Sequence, residues 1–187
     1  MTLSAAKNIA DRGGVVRVGL HNADGVRSAY EEIVRNAKTN VSDAVVKGVL
    51  VQEMVTGGVE VIVGVKYDAQ LGPMLVFGSG GVTVEVYGDV AMRHCPLTRS
   101  EALEMIGEVK GVKLLRGFRG KPAADIEALA EVLVRVSQLA VHLEGRLDEL
   151  DLNPVMVLPA GRGVRAVDAL AVLTSRDPQT AARPATT

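Results

Sequence analysis

In KGVLVQEMVTGGVEVIVGVKYD, residues 47–68, two runs rich in β-branched side chains flank the pair Gly57-Gly58. Branching at Cβ suits a pleated strand, and paired glycines suit a turn, so the stretch predicts either a β-hairpin or a strand that crosses between two lobes. After Gly72-Pro73, MLVFGSGGVTVEVYGDVAMRHCPL continues as further strands interrupted by the glycine run FGSGG, residues 77–81. Upstream, GVVRVGL at 14–20 predicts a strand. The next segment, 24–37, predicts a helix in which Val26, Ala29, Tyr30, Ile33, Val34 and Ala37 recur at helical spacing, with Asp24 as N-cap.

Downstream, Thr98 and Glu101 in TRSEALEMIGEV have the spacing of a capping box, so a helix is expected there. The longest expected helix starts near Pro122 and presents Ile126, Leu129, Leu133, Val136, Ala140 and Leu143 as one stripe. Two strands, 149–158 and 163–172, follow around a turn at 159–162. The tail TSRDPQTAARPATT is polar and aperiodic, and its composition predicts disorder. Hairpins mixed with helices, without regular strand–helix alternation, indicate an α+β fold.

Composition narrows the function classes. The chain has 187 residues, 48% apolar and 23% charged, enough for a sizeable core. A net charge of −1 and 3% aromatic residues argue against nucleic acid or an anionic membrane as partner. The single cysteine, Cys95, cannot close an internal disulfide, and no apolar run reaches membrane-spanning length, so a cytoplasmic location is expected. His21, His94 and His142 are read as surface or structural residues.

The segment ELDLNPV, residues 149–155, directs Glu149, Asp151 and Asn153 to one face of a strand and Leu150 and Leu152 to the other. Either that face is simply wet, or it serves a ligand. Asp168 lies in VRAVDALAVL, an otherwise apolar strand apart from Arg165, where an unpaired carboxylate is costly. If the last two strands are antiparallel neighbours, Asn153 and Asp168 come roughly opposite one another, and hard oxygen donors of this kind suit magnesium. The glycines of FGSGG can bring backbone amides close to phosphate, although a hairpin turn also favours glycine. Glu85 and Arg93 can be a surface ion pair. Glu53 and Glu60 are either two solvated acids beside a turn or the flanks of a nucleotide lying across the strand connection.

Taken together, GGVVRVGL, the 48–81 segment, RHCPL, LLRGFRGKPAADIEAL and ELDLNPVMVL resemble the ATP-grasp domain of the ADP-forming acyl-CoA synthetases, whose members include the ADP-forming acetate–CoA ligases. The resemblance covers about residues 11–173. It implies two lobes gripping a nucleotide: a partial small lobe over 1–55 and a large lobe over 56–173, with 174–187 as a disordered tail. It implies ATP or ADP and Mg2+ as ligands. Glu53 and Val55 then contact adenine, Glu60 the ribose, and Asn153, Asp168 and Asp151 the metal. Gly80, Gly81, Glu85 and Arg93 are expected nearby. In this family ATP phosphorylates a histidine, which passes the phosphoryl group on through an acyl phosphate so that CoA forms a thioester, and a CoA-binding subunit or domain is the implied partner.

Two departures bear on activity. Where the family carries a histidine before the first strand, NIADRGGV places Asn8, and an amide cannot relay a phosphoryl group. A lysine-bearing strand expected upstream of that motif has no counterpart, and Lys7 does not align with it, so a sheet edge near 14–20 is expected to be exposed unless covered. Isolated, the chain is therefore expected to be inactive, as a fragment or a degenerate homologue. The alternatives are a catalytically degenerate nucleotide-sensing module and a remnant that binds nothing.

Overall fold

The computed structural model describes the backbone of residues 2–4 and, in full, residues 14–40, 45–80 and 88–174. Chain contacts divide it into two compact units, Met1–Thr56 and Gly57–Thr187. In the first unit, strand β1 (Thr2–Ser4) lies between β2 (Val16–Arg17) and β3 (Leu50–Gln52), antiparallel to both. The 14–20 strand is thus shorter than expected and is paired along one side by a strand that the apolar pattern did not reveal. Of the stripe expected of helix α1 (Ala23–Asn40), Ala29, Ile33 and Ala37 are buried with Val15 and Val26 packs against them, whereas Tyr30 is 48% exposed. The first turn of α1 is capped by Asn22, whose Oδ1 accepts the Gly25 N–H at 2.8 Å, and Asp24 instead pairs with Arg27 at 2.6 Å. The Arg17 guanidinium joins the sheet to α1 by pairing with Glu32.

The second unit is built on an antiparallel sheet in the order β6-β5-β4-β7-β8, with β9 also paired to β7. Its strands are β4 (Val59–Asp68), β5 (Gly72–Ser79), β6 (Val90–His94), β7 (Leu147–Val157), β8 (Val164–Ala166) and β9 (Ala169–Leu173). Alternation along β4 sends Val61, Val63 and Val65 into the core, opposite Ser79, Phe77 and Leu75 of β5. The helices α2 (Arg99–Glu108), α3 (Val112–Leu115) and α4 (Ile126–His142) contribute Met105, Ile106, Leu115, Leu129 and Leu133 to the same core.

Local chemistry sets the helix boundaries. Thr98 and Glu101 form the expected capping box. Helix α4 starts later than Pro122 suggests, because Asp125 is its cap: Oδ1 accepts the Ala128 N–H at 3.1 Å and Oδ2 the Gly163 N–H at 2.9 Å, tying the helix to the β7–β8 turn. With 17 residues it is one shorter than α1, so it is not the longest helix. The fully buried Ser137 accepts the Leu97 N–H at 2.9 Å and donates to Val134 O at 2.7 Å, which satisfies its hydroxyl inside the core. The strand expected at 163–172 is interrupted at 167–168. Among the described residues no helix is long and apolar enough to cross a membrane. The expected tail disorder falls on residues that, from 175 onward, lie outside those described.

Leu133 has no exposed surface, whereas Leu139 on the same helix is 43% exposed. Leu133→Ala is expected to lower unfolding stability in urea by about 2–5 kcal/mol. Leu139→Ala should stay within about 0.5 kcal/mol of the parent.

Candidate functional site

The register of the second sheet gives the face turned away from α2, α3 and α4 a definite set of side chains. Residues directly opposite in antiparallel strands share a face, so Glu60 lies with Met156, Gly64 with Asp151, and Lys66 with Glu149, all away from Val61, Val63 and Val65. The expected grouping of Glu149 and Asp151 on one face therefore holds. Between Val61 opposite Val155 and Val63 opposite Leu152, β4 supplies one residue and β7 two, namely Asn153 and Pro154. This bulge re-aims β7 at the position occupied by Asn153, which is exposed.

Asp168 occupies the break between β8 and β9, where the Asn153 N–H donates to its carbonyl at 3.2 Å and the Val167 N–H donates to Pro154 O at 3.0 Å. The two expected metal ligands are therefore backbone neighbours. Asp168 is half-buried at an interruption of the strand, not deep within an apolar one, and its Oδ1 accepts the Ala169 N–H at 2.8 Å. Asp151 is half-buried two residues before Asn153. Among the described residues no three His, Cys, Asp or Glu side chains form a metal cluster. An amide oxygen with one or two carboxylates fits magnesium, which takes few protein ligands and completes its shell with phosphate and water.

Glu60 also borders a pocket of about 450 Å³. One wall is Gly58, Val59, Glu60 and Gly80; the other carries Leu114 of α3, then Phe118, Arg119 and Lys121. Gly80 is held close, its N–H donating to Glu60 O at 2.9 Å, and a Cβ there would lie 2.6 Å from the Glu60 carbonyl carbon. On the other wall Arg119 adopts φ +49° between Gly117 at +94° and Gly120 at +81°. Left-handed backbone costs a non-glycine residue about 1–2 kcal/mol. Its guanidinium sits 5.2 Å from the Phe118 ring centroid. A largely apolar lining that also includes Arg119 and Lys121 suits a ligand that is part ring and part anion.

The remaining expected residues are placed as follows. Glu53 is exposed and Val55 half-buried, both just after β3 in the first unit. Arg93, on β6, pairs with Glu108 of α2. Gly81, Glu85, Asn8 and Lys7 lie outside the described residues. His94 ends β6, His142 ends α4, and His21 is exposed. Burial pushes the Cys95 thiol up to about 11, which leaves little thiolate for nucleophilic chemistry.

Spacing does not single out Asp89, which is only 8% exposed and whose carboxylate accepts three hydrogen bonds. Its one signal is an acid directly after Gly88 and before an apolar strand. No pattern in the sequence singles out Phe118, Arg119 and Lys121 either, and only the spacing of Gly117 and Gly120 hints at their strained loop.

A model of the ATP-grasp domain matches residues 7–173. The ADP-forming acetate–CoA ligase I of Archaeoglobus fulgidus is 49% identical over 156 residues, 83% of this chain and 22% of that protein. The β subunit of ADP-forming acetate–CoA ligase II of Pyrococcus furiosus is 41% identical over 159 residues, 85% of this chain and 67% of the subunit. The dinucleotide forming acetyl-coenzyme A synthetase 1 of Ca. Korarchaeum cryptofilum, solved with coenzyme A and Ca-AMPCP, superposes with a TM-score of 0.87 at 42% identity, over 92% of this chain and 76% of that one. The same protein has been solved with coenzyme A and Mg-AMPPCP, at a TM-score of 0.77 and 38% identity over 93% of this chain and 76% of that one. The chain thus spans about a fifth of the full-length archaeal ligase and about two thirds of the separate β subunit.

Because Gly80 rests on the Glu60 backbone, Gly80→Ala must push the end of β5 away from β4. A stability loss of about 1–3 kcal/mol in urea is expected. The same substitution at Gly107, which has open space around it, should leave the pocket unchanged.

Proposed function

This chain belongs to the ATP-grasp domain family of the ADP-forming acetate–CoA ligases, and on that footing we propose that it is the ATP- or ADP- and magnesium-binding portion of an ADP-forming acyl-CoA synthetase. The observation that carries the reading is the adjacency of Asn153 and Asp168 at the β7 bulge, on the sheet that also presents Glu60 and Asp151. In this reading the amide oxygen of Asn153 and the carboxylates of Asp168 and Asp151 hold the metal, whose charge draws the nucleotide phosphates to that face. Glu60 accepts hydrogen bonds from ribose hydroxyls. The backbone at Glu53 and Val55 meets the adenine edge. Gly80 and Gly81 bring backbone close to the ligand, with Glu85 and Arg93 at its margin. The protein's contribution is to orient the phosphates and neutralise their charge for in-line transfer.

Thioester formation from acid, ATP and CoA then needs a CoA-binding subunit or domain, in keeping with relatives that are β subunits or much longer chains. Phosphoryl relay through the position of Asn8 is closed to an amide, because it lacks the ring nitrogen that attacks phosphorus in a histidine. That residue favours a second reading, a nucleotide-sensing module that binds without transferring. The readings separate on whether turnover appears when the partner is supplied.

Calorimetry of the isolated chain should show Mg-ADP binding that weakens when magnesium is chelated. Asp168→Asn should weaken it by at least about tenfold, the effect of one lost charge-assisted contact, with an unchanged circular dichroism spectrum. Equal affinity with and without magnesium would remove the metal assignment. Thioester synthesis by the chain alone would refute the need for a partner.

A further inference from the structure

We propose that Asp89 is a positioning residue for the pocket beside Glu60: its carboxylate fastens the strand wall of that pocket to the helical wall, so that the two keep one spacing. The part of the proposal that concerns ligand affinity rests on the nucleotide reading above. The mechanical part does not.

Asp89 precedes β6 and is the only buried carboxylate among the described residues. Its Oδ2 accepts from the Ser79 hydroxyl at 2.6 Å and from the Gly111 N–H at 2.9 Å, and its Oδ1 accepts from the Lys110 N–H at 2.7 Å. Its carbonyl also accepts the Ser79 N–H at 3.3 Å. One carboxylate therefore joins the end of β5, the start of β6 and the α2–α3 junction.

The attachments lead to the two walls: Ser79 to one, Lys110 and Gly111 to the other. From Ser79 the chain enters Gly80, which is bonded to Glu60 O at 2.9 Å. From Gly111 it enters α3, where Leu114 N–H donates to Gly111 O at 2.9 Å and Gly117 N–H donates to Leu114 O at 3.2 Å, and then reaches Phe118 and Arg119. The junction is tight: a Cβ on Gly111 would lie 2.5 Å from Ser79 Cβ. No apolar side chain can replace this fastening, since two backbone N–H groups and a hydroxyl would lose their acceptor in a buried place. Asparagine cannot replace it either. With one oxygen in place of two, either orientation of its amide turns an NH2 group toward a backbone N–H that needs an acceptor.

The test uses Asp89→Asn and the milder Ser79→Ala, which removes one donor and keeps the charge. Hydrogen exchange read by mass spectrometry is expected to rise in both variants at Gly80 and across 112–121 together, while the β4–β7 ladder stays protected. In calorimetry with Mg-ADP, well below each variant's thermal midpoint, Asp89→Asn should weaken affinity about tenfold or more and Ser79→Ala a few-fold. A residue with only a stabilising role would lower the midpoints and leave the affinity of the folded protein unchanged. Faster exchange at Lys110 and Gly111 alone, with Gly80 and 114–121 as protected as in the parent, overturns the coupling. Parent-like Mg-ADP affinity in both variants overturns the positioning role while the nucleotide reading stands. Absence of Mg-ADP binding by the parent overturns the nucleotide reading, and the exchange pattern then decides the coupling by itself.

Discussion

Strand β4 is hydrogen-bonded along both edges, to β5 and to β7, and its alternation cannot slip. Moving it by one residue would bring Val61, Val63 and Val65 out of the core and drive Glu60, Gly64 and Lys66 into it. Three valines that are at most 3% exposed therefore fix the side on which an acid at position 60 must stand. The same registry orients Asp151 through its pairing with Gly64, and Glu149 through Lys66. The polar face of the sheet is thus a consequence of the apolar one.

A regular β7 would carry that logic unbroken to its end, and the bulge at Asn153 and Pro154 is where it is interrupted. Two residues opposite Ile62 give β7 a local bend, and the partner strand breaks at the same level, between Ala166 and Ala169. Val167 and Asp168 leave the ladder there yet keep backbone bonds to Pro154 and Asn153. A carboxylate at this break is half-buried and its backbone is bonded to that of Asn153, a setting in which a hydrated cation can be held without the full cost of burial. A continuous strand would have placed Asp168 strictly by alternation.

Local pattern was the legible part of the chain. The valines of β4, the stripe of α4 and the Thr98–Glu101 box each declare themselves within a single element, so the α+β class and most elements of the second unit could be read directly. Caps were harder. Asn22 and Asp24 are both competent caps, and only the geometry of the first turn selects Asn22; Pro122 suits a helix start, but the bond from Gly163 to Asp125, 38 residues apart, moves it. The adjacency of Asn153 and Asp168 was readable because two antiparallel strands flank one short turn. Arg93 was less so: its tie to Glu108 depends on where α2 packs, which no spacing within β6 reveals. Asp89 was silent for the same reason. Its partners are 10, 21 and 22 residues away, and two of them are backbone N–H groups that any residue would supply.

Asp89 also shows how charge is retained in a buried place. Burial by itself would raise the pKa of such a carboxyl, but the Ser79 hydroxyl and the N–H groups of Lys110 and Gly111 outweigh it and hold the group below the usual carboxylate range. A folded-state pKa lower than the unfolded one means that the stabilisation is fully present above the unfolded value, about 3.9, and is lost as pH falls through the lower folded value. The fastening is therefore charged throughout the neutral range and cannot act as a switch there. Asp125 follows the same sign, with the Gly163 and Ala128 N–H groups lowering its pKa, so the start of α4 keeps its anchor over the same range. Two of the joints that hold loops to the second sheet are thus insensitive to physiological pH. A change of pH near neutrality therefore does not reach the pocket through the charge of these two carboxylates.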